Sequence, residues 1–326
     1  MSTISVIIPA YNRQEVIRST LNSLLDQTYP AKEIIVVDDG SKDDTAEVAR
    51  SFGSLVTVVR QENAGPAAAR NTGFRASTGE FIHYFDSDDI ASSTKHEVQL
   101  GALQMSNADI AYSPWIKGII SDGIFTSGGI ELQARGIPKH EELLRALLTH
   151  WSIVPQACLF RRSIIDRVNG FPEDLFCGED QMMFLRCLIA GAKVVHTPDA
   201  HLLYRTNNAG KITDPTKGKA LQVTEWARFL AMARSDCLAH GIDPSIWMGY
   251  RRRVWESLDD LKRYEVENAD LIKQLNEALS IAHFTFLYGL VRAFDRKIRG
   301  IKSRLFGFRE HPYFYAKRIP REARLL

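Results

Sequence analysis

Short apolar runs alternate with helix candidates through the first 110 residues of the chain. The runs are rich in β-branched residues and lie at 5–8, 34–37, 55–59, 81–85 and 108–112. The helix candidates lie between them, at about 14–27, 44–52, 66–76 and 93–106. Short continuous apolar strands that alternate with helices are typical of a parallel sheet covered on both faces. The pattern therefore predicts an α/β, Rossmann-like fold with a mostly parallel sheet flanked by helices.

The pattern changes twice after residue 112. A Gly-rich, weakly periodic stretch at 115–136 predicts a hairpin or loop. It is followed by a helix, a strand, a turn and a second helix, predicted at 139–150, 156–160, 169–172 and 179–190. Beyond residue 215 the pattern is helical, with helices predicted at about 216–239 and 254–282. These changes divide the chain into 1–112, 113–214 and a helical C-terminal extension, 215–326.

Polar clusters directly follow the predicted strands. They occupy 9–12, 38–41, 60–65 and 86–89, after the first four strands in turn. Because ligands bind open α/β sheets at the carboxyl ends of the strands, these clusters predict a ligand site at one edge of the sheet.

The cluster at 86–89 contains three aspartates behind a buried strand. Asp86 and Asp88 are two residues apart, so on an extended segment both face one way, and Asp89 is expected to turn away. Carboxylates that share a face suit a hard divalent cation such as Mg²⁺ or Mn²⁺, completed by substrate phosphates. The alternative is a set of solvated loop aspartates that cap the helix beginning near residue 93.

Two further segments carry candidate ligand groups. Asp38 and Asp39 could accept hydrogen bonds from a base or a ribose hydroxyl, or could form a turn with a helix cap. Arg70 follows three alanines on a predicted helix and offers a planar fork for phosphate or carboxylate, although a plain packed helix would look the same. No G-x-G-x-x-G follows the first strand and no G-x-x-x-x-G-K-[ST] occurs, so phosphates must be neutralised by a metal or by side chains.

Composition adds information mainly at the C-terminus. The net charge is +2, yet residues 291–326 hold eleven Lys or Arg against three Asp or Glu. Apolar residues recur at helical spacing across 284–306 with basic residues between them, which predicts an amphipathic basic helix. It could lie on an anionic membrane surface, or pack on the rest of the chain or on the partner in a homodimer. Nucleic acid is not a predicted partner, because no nucleic-acid module accompanies these charges.

Cysteine usage and the terminal sequence bear on location. The four cysteines are irregularly spaced without a Cys-x-x-Cys pair, which fits neither a disulfide framework nor a zinc site. The chain enters its first strand almost at once, and the stretch 278–291, free of Lys, Arg, Asp and Glu, has only 14 residues. A bilayer span needs about 20 apolar residues. We therefore expect a cytoplasmic protein, peripheral on the inner face of the cell membrane.

The ordered motifs resemble those of the family 2 glycosyltransferases of GT-A fold. The resemblance covers about residues 3–205. It rests on the first-strand motif, the V-D-D-G-S motif, the A-R-N segment, the D-x-D motif, a G-F-P turn and a G-E-D motif, at 5–12, 37–41, 65–73, 86–88, 170–172 and 178–180. It implies an inverting, metal-dependent transfer of a sugar from a nucleotide diphosphate donor, with residues 1–112 as the donor half and 113–214 as the acceptor and catalytic half.

The resemblance also implies roles for individual residues. Asp180 would be the general base, Asp88 would bind Mn²⁺ or Mg²⁺, and Asp86 would lie near the ribose or the metal. The donor base and ribose would be lined by Pro9, Ala10, Tyr11, Asp39 and Arg70.

Four residues between 113 and 214 are further candidates. His201 is either a third metal ligand or a structural histidine, and His196 is the competing candidate. Trp151 and Gln156 are candidates for the border of the acceptor pocket.

The predicted reaction uses a UDP-sugar and a hydroxyl of a glycan or lipid-linked acceptor, in cell-surface polysaccharide synthesis. A sugar nucleotidyltransferase is one alternative, but it would normally carry a Gly-rich, basic loop after the first strand, and residues 9–12 are not one. A non-catalytic nucleotide-sugar-binding protein is the other. The presence of Asp86, Asp88 and Asp180 argues against it.

Overall fold

The computed structural model describes residues 2–121, 124–134, 136–207, 218–279 and 317–318. The described residues form two compact units. The first contains those within 2–144, 152–207 and 317–318, and the second contains those within 145–151 and 218–279. The predicted segment 284–306 lies outside the described residues, and the predicted boundary at residue 112 stays a prediction.

The secondary structure follows the predicted alternation. The strands are β1 (Ile4–Ala10), β2 (Glu33–Asp38), β3 (Val56–Arg60), β4 (Phe81–Tyr84), β5 (Ile90–Ala91), β6 (Ile110–Tyr112), β7 (Trp115–Ser121), β8 (Ile124–Leu132), β9 (Cys158–Arg161), β10 (Val194–His196), β11 (Leu202–Arg205) and β12 (Lys317–Arg318). The α-helices are α1 (Ile17–Leu25), α2 (Thr45–Arg50), α3 (Gly65–Ala76), α4 (Lys95–Ser106), α5 (His140–Thr149), α6 (Arg162–Val168), α7 (Glu179–Ile189), α8 (Lys219–Ala239), α9 (Met248–Arg263) and α10 (Ala269–Leu279). Short 3-10 turns precede β3, β9 and α9.

The main sheet of the first unit confirms the predicted mostly parallel α/β architecture. Its seven described strands have the order β10-β6-β9-β4-β1-β2-β3. β1 pairs in parallel with both β2 and β4, and β2 pairs in parallel with β3. Only β9 among these strands runs antiparallel to its neighbours, β4 and β6. The carboxyl ends of β1 to β4 therefore share one edge, where the four polar clusters lie.

Helix α3 packs unusually close to this sheet because its residues are small. A Cβ atom on Gly73 would lie 2.3 Å from Ile7 Cγ2 and 3.2 Å from Val37 Cγ2. Ala69 is fully buried and packs with Ile35 and Val37. The close approach brings the N-terminal half of α3 to the carboxyl edge of the sheet.

A second sheet has the described order β12-β8-β7-β11-β5. The predicted hairpin at 115–136 is present as the antiparallel pair β7 and β8. β11 pairs in parallel with β7 and antiparallel with β5. β5 begins directly after the aspartate cluster, so this sheet fixes the cluster from one side.

The structure differs from the prediction in several elements. The helix predicted at 254–282 is two helices, α9 and α10, because the chain turns at Glu265, whose φ is +53°. The elements α6, β5, β10, β11 and β12 were not predicted. Among the described helices, none is both long enough and apolar enough to cross a membrane.

Candidate active site

Three of the residues predicted to line the nucleotide, Pro9, Ala10 and Tyr11, lie at the carboxyl end of β1. Pro9 and Ala10 are the last two residues of the strand, and Tyr11 follows with 40% of its surface exposed. Asn12 then adopts a left-handed conformation, φ +52°, and its N–H donates to Ser41 Oγ across 3.0 Å. This bond ties the loop after β1 to the loop after β2 and leaves the Tyr11 ring accessible at the edge.

Both aspartates of the V-D-D-G-S motif accept backbone hydrogen bonds. Asp38 is fully buried and accepts the Ser41 N–H at 3.1 Å, which closes the turn after β2. Asp39 accepts the Ala64 N–H at 2.9 Å on Oδ1 and the Gly65 N–H at 2.8 Å on Oδ2. Asp39 thereby satisfies free N–H groups at the start of α3. Its contact with a donor stays a prediction.

The acidic cluster is a turn between β4 and β5. One oxygen from each of Asp86, Asp88 and Asp89 lies within 4.8 Å of the others. Asp89 is 1% exposed and accepts the Arg205 N–H at 2.9 Å and the Gln156 Nε2–H at 2.8 Å. The expectation that Asp89 turns away from the other two was wrong, because the chain turns here instead of continuing as a strand.

The carboxylates at this turn suit a hard divalent cation. Both oxygens of Asp89 already accept protein hydrogen bonds, whereas the Asp86 side chain is 31% exposed at the edge. Asp88 is 9% exposed, and its Oδ2 lies 3.9 Å from Arg13 Nε. Because Mg²⁺ and Mn²⁺ prefer one or two carboxylates plus substrate phosphates, Asp86 and Asp88 are the residues that could hold such an ion.

Side chains from distant segments brace the turn. Thr20 of α1 donates its hydroxyl to Ser87 O at 3.1 Å and to Asp89 O at 2.8 Å. Arg205 of β11 donates from Nε to Asp88 O at 2.8 Å. The sequence analysis missed Thr20, although a polar residue on the apolar face of a helix is a signal for a buried hydrogen bond.

Arg70 links the acidic turn to α7. Its Nη2 donates to Asp86 Oδ1 at 3.0 Å, and its Nη1 donates to Glu179 Oε1 at 2.8 Å. The guanidinium lies 5.1 Å from the ring centre of Phe171 and is 5% exposed. Burial opposes the charged form, but the neighbouring carboxylates outweigh it and raise the pKa of Arg70.

Asp180 is the second residue of α7 and is half-buried. The pKa of Asp180 is raised to about 7, because burial and the charge of Glu179 raise it more than the charge of Arg70 lowers it. Its Oδ1 accepts the Gln181 N–H at 2.7 Å. A carboxylic acid whose pKa lies near neutrality is suited to accept a proton from a hydroxyl.

The G-F-P turn is fixed to α3 by the residue next to Arg70. Asn71 donates from Nδ2 to Phe171 O at 2.9 Å and accepts the Phe171 N–H on Oδ1 at 2.9 Å. Gly170 has φ +71°, and a Cβ there would lie 2.5 Å from Asn71 Oδ1. Glycine is therefore required at this position by both its conformation and the close approach of Asn71.

The histidine candidates lie apart from the acidic group. His201 is not among the described residues that cluster with the three aspartates, and its Nε2 lies 3.0 Å from Glu131 Oε1. His196 Nε2 lies 2.8 Å from Gln133 O. A metal-binding role for His201 stays a prediction, while its contact with Glu131 agrees with the structural alternative.

The two acceptor-pocket candidates have different surroundings. Gln156 is 1% exposed, and its side chain donates to Asp89, so it supports the acidic turn from within. Trp151 is 4% exposed and belongs to the second unit. A role for either residue at an acceptor pocket stays a prediction.

This combination of fold and carboxylate motifs defines a GT-A sugar-transferring enzyme, and comparison with known proteins agrees. The family described as "Glycosyl transferase family 2" matches residues 5–168. The chain belongs to this family, and it is a glycosyltransferase of GT-A fold.

Relatives match beyond the family segment. Glycosyltransferase GlyG of Streptococcus pneumoniae is 29% identical over 282 residues, which cover 80% of this chain and 88% of GlyG. Glycosyltransferase AglE of Haloferax volcanii is 29% identical over 203 residues, covering 60% of this chain and 64% of AglE.

Two solved structures share the fold. TarS 1–349 of Staphylococcus aureus in complex with UDP-GlcNAc has a TM-score of 0.51 at 20% identity, covering 79% of this chain and 81% of that one. The mannosyltransferase PcManGT of Pyrobaculum calidifontis, in complex with GDP-Man and Mn²⁺, has a TM-score of 0.51 at 16% identity, covering 94% of this chain and 88% of that one.

Proposed function

We propose that this glycosyltransferase moves a sugar from a UDP-sugar to a hydroxyl of a glycan or lipid-linked acceptor, with inversion at the transferred carbon and with a divalent cation. The observation that carries the proposal is the Arg70 bridge. It joins Asp86 of the acidic turn to Glu179, the neighbour of Asp180, through bonds of 3.0 and 2.8 Å. One side chain therefore joins a candidate cation site to the residue next to a candidate base.

The donor nucleotide is proposed to bind along the ends of β1 and β2. Tyr11 offers an exposed aromatic face for a base, and Asp39 lies at the adjacent strand end. Because the sequence has no glycine-rich phosphate loop, the diphosphate needs cationic partners. A similar structure that contains UDP-GlcNAc supports a uridine donor, and one that contains GDP-Man makes guanosine the alternative.

Asp86 and Asp88 would hold the cation. A bound Mn²⁺ or Mg²⁺ neutralises the negative charge of a departing nucleoside diphosphate. The presence of Mn²⁺ in the PcManGT structure supports this choice of cofactor class.

Asp180 is proposed to act on the acceptor. In its anionic form it accepts the proton of the acceptor hydroxyl while that oxygen forms its bond to the sugar carbon. Attack from the face opposite the leaving nucleotide inverts the configuration at that carbon. The half-buried position of Asp180 and its raised pKa suit a base that works near neutrality.

The cellular role remains part of the proposal. We infer synthesis of a cell-surface polysaccharide at the inner face of the cell membrane, with membrane contact through residues 284–306, which lie outside the described residues. GlyG and AglE are themselves named as glycosyltransferases. Dimerisation and a third metal ligand at His201 stay predictions.

A thermal-shift panel tests the proposal. A ligand that binds only the folded state raises its melting temperature, so UDP and GDP, each with and without Mn²⁺, separate the two donor classes. We expect a shift with UDP that requires Mn²⁺ and is lost in Asp88→Ala, but that is kept in Asp26→Ala, which changes an exposed aspartate after α1. A UDP shift that persists in Asp88→Ala would contradict the metal assignment.

Turnover separates the enzyme from a nucleotide-sugar-binding protein. With Mn²⁺ and no acceptor, we expect slow hydrolysis of UDP-GlcNAc or of another UDP-sugar in the panel, and its loss in Asp88→Ala. Binding without any hydrolysis or transfer across the panel would favour a binding protein.

A further inference from the structure

The Arg70 side chain connects two parts of the chain that are far apart in sequence. It contacts Asp86 in the turn after β4 and Glu179 at the start of α7. The side chains of Arg70 and Glu179 are 6% and 9% exposed. A buried ion pair is costly to break, because removing one partner leaves an uncompensated charge.

The guanidinium group is fixed in orientation as well as in position. Its two terminal nitrogens bind different carboxylates, and its Cζ atom lies over the Phe171 ring, 5.1 Å from the ring centre. Arg70 Nε is buried and has no hydrogen-bond partner among the described residues. The hydrogen bonds of the group are therefore directed to Asp86 and Glu179, so its planar fork sets the distance between them.

Asn71, the next residue of α3, also bonds to the segment that leads to α7. Asn71 exchanges two hydrogen bonds with the backbone of Phe171 and donates to Glu173 Oε1 at 2.8 Å. Two consecutive residues of one helix thus fix the chain from residue 171 to residue 179. Asp180 follows directly.

We propose that Glu179 is a positioning residue, which through Arg70 holds Asp180 at a fixed place relative to the acidic turn. This inference rests on the proposed function of Asp180 as the base. Small errors in the placement of a reacting group are costly, since a shift of about 1 Å can reduce a rate by about 100-fold. The resemblance predicts that Arg70 lines the donor. In this inference Arg70 also links Glu179 to the acidic turn.

Electrostatics provides a signature that loss of packing alone would not produce. Glu179 and Arg70 act on Asp180 in opposite directions. Other titratable groups that face Asp180 are Tyr204 on β11, Tyr112 on β6 and Cys158 on β9. Removing the charge of Glu179 should favour the Asp180 anion, whereas removing the charge of Arg70 should disfavour it.

The test uses the full chain in three variants: Glu179→Gln, Arg70→Gln and Glu47→Gln. The last removes an exposed ion pair, Arg50–Glu47 at 3.0 Å, as the matched control. The Asp180 carboxyl is titrated by NMR with aspartate carrying a ¹³C-labelled carboxyl group, its signal being assigned by loss in Asp180→Asn. Hydrogen exchange is measured in parallel at the first turn of α7.

We expect the Asp180 midpoint to move down by about one pH unit in Glu179→Gln and up by about one unit in Arg70→Gln. Exchange at the start of α7 should become faster in both variants. Glu47→Gln should match the parent in both measurements. The two variants should shift the Asp180 midpoint in opposite directions but should both speed up hydrogen exchange at α7. This combination distinguishes positioning from a general folding defect.

The inference is overturned if Glu179→Gln leaves either the Asp180 midpoint or the exchange at α7 as in the parent. Glu179→Gln keeps this test decisive even if Arg70→Gln fails to fold. Calorimetry of UDP binding with Mn²⁺ by the parent tests the proposed function separately, because the Asp180 titration needs no ligand. If the parent protein binds no nucleotide, the proposed function is wrong. The Asp180 titration would still test whether Glu179 positions Asp180.

Discussion

Neighbouring aspartates in the acidic turn have different surroundings, and their chemistry differs accordingly. Burial and the charges of Asp88 and Asp86 raise the pKa of Asp89, which accepts hydrogen bonds on both oxygens. Asp86 instead has a partly exposed side chain at the sheet edge. Asp89, which supports the turn, thus lies beside Asp86 and Asp88, which could face a ligand.

The ionisation of Asp180 should set the lower pH limit of sugar transfer. Its pKa is raised to about 7, and only the anion can take the acceptor proton, so kcat should rise with pH through that value. The measurement is kcat at saturating substrates from about pH 5 to about pH 9. Asp180→Asn should lower kcat by about 100-fold or more and lose this rise. A rise centred near pH 4, or a fully active Asp180→Asn, would show that another group is the base.

At the scale of elements, α3 organises the site. Asp39 caps its start, Arg70 and Asn71 contact the segments around it, and Gly73 lets it approach β1. One helix therefore connects the proposed nucleotide edge with the proposed base. Its packing against the sheet should matter for stability more than its sequence propensity suggests.

Gly73→Ala should destabilise the fold. The added methyl group would lie 2.3 Å from Ile7 Cγ2, so α3 or β1 must move, at a cost of about 1–3 kcal/mol. The control is Gly101→Ala in α4, where a Cβ meets nothing within 4 Å and should add about 0.5–1 kcal/mol of stability. Urea unfolding measures both. Equal effects of the two substitutions would argue against close α3 packing.

The sequence predicted those elements whose local pattern is unambiguous. The continuous apolar runs of β1 to β4 and the glycine-rich hairpin were placed correctly, and the motifs at the strand ends follow from them. β10 and β11, which have three and four residues, were not predicted. The antiparallel direction of β9 depends on tertiary pairing, which periodicity does not contain.

The candidate residues were easier to find than their partners. Asp86, Asp88 and Asp180 are visible as motifs, but the bond from Arg70 to Glu179 spans 109 residues and depends on the folded arrangement of α3 and α7. The inward position of Asp89 likewise depends on two distant residues. Gln156 lies in the short turn before β9, and Arg205 is the last residue of β11. Such contacts between distant segments leave no local pattern.

At the scale of the molecule, a buried lysine lies in the first unit. Lys95 is fully buried, and its Nζ donates to Ser113 Oγ at 2.7 Å and to Ala157 O at 3.4 Å. Burial lowers the pKa of Lys95 from 10.5 to about 7. The folded protein thus holds this proton less tightly than the unfolded chain does, which couples global stability to pH.

We expect the parent protein to gain stability relative to Lys95→Met as pH rises. The penalty for burying the charge is complete below about pH 7 and vanishes above 10.5, where the amine is neutral in both states. The difference in unfolding free energy should change by a few kcal/mol, on the order expected from the shift. Urea unfolding at several pH values measures it, with Lys193→Met as the exposed control. A difference independent of pH would refute the prediction.

The position of β11 between β7 and β5 in the second sheet has a consequence for synthesis on the ribosome. β5 and β7 both pair with β11, and Arg205 at its end braces the aspartate turn. At ~5–20 residues per second, translation reaches β11 several seconds after it has made the turn. During that interval the aspartate turn of the nascent chain lacks its contacts with β11. The proposed nucleotide edge can therefore reach its final structure only after β11 has left the exit tunnel.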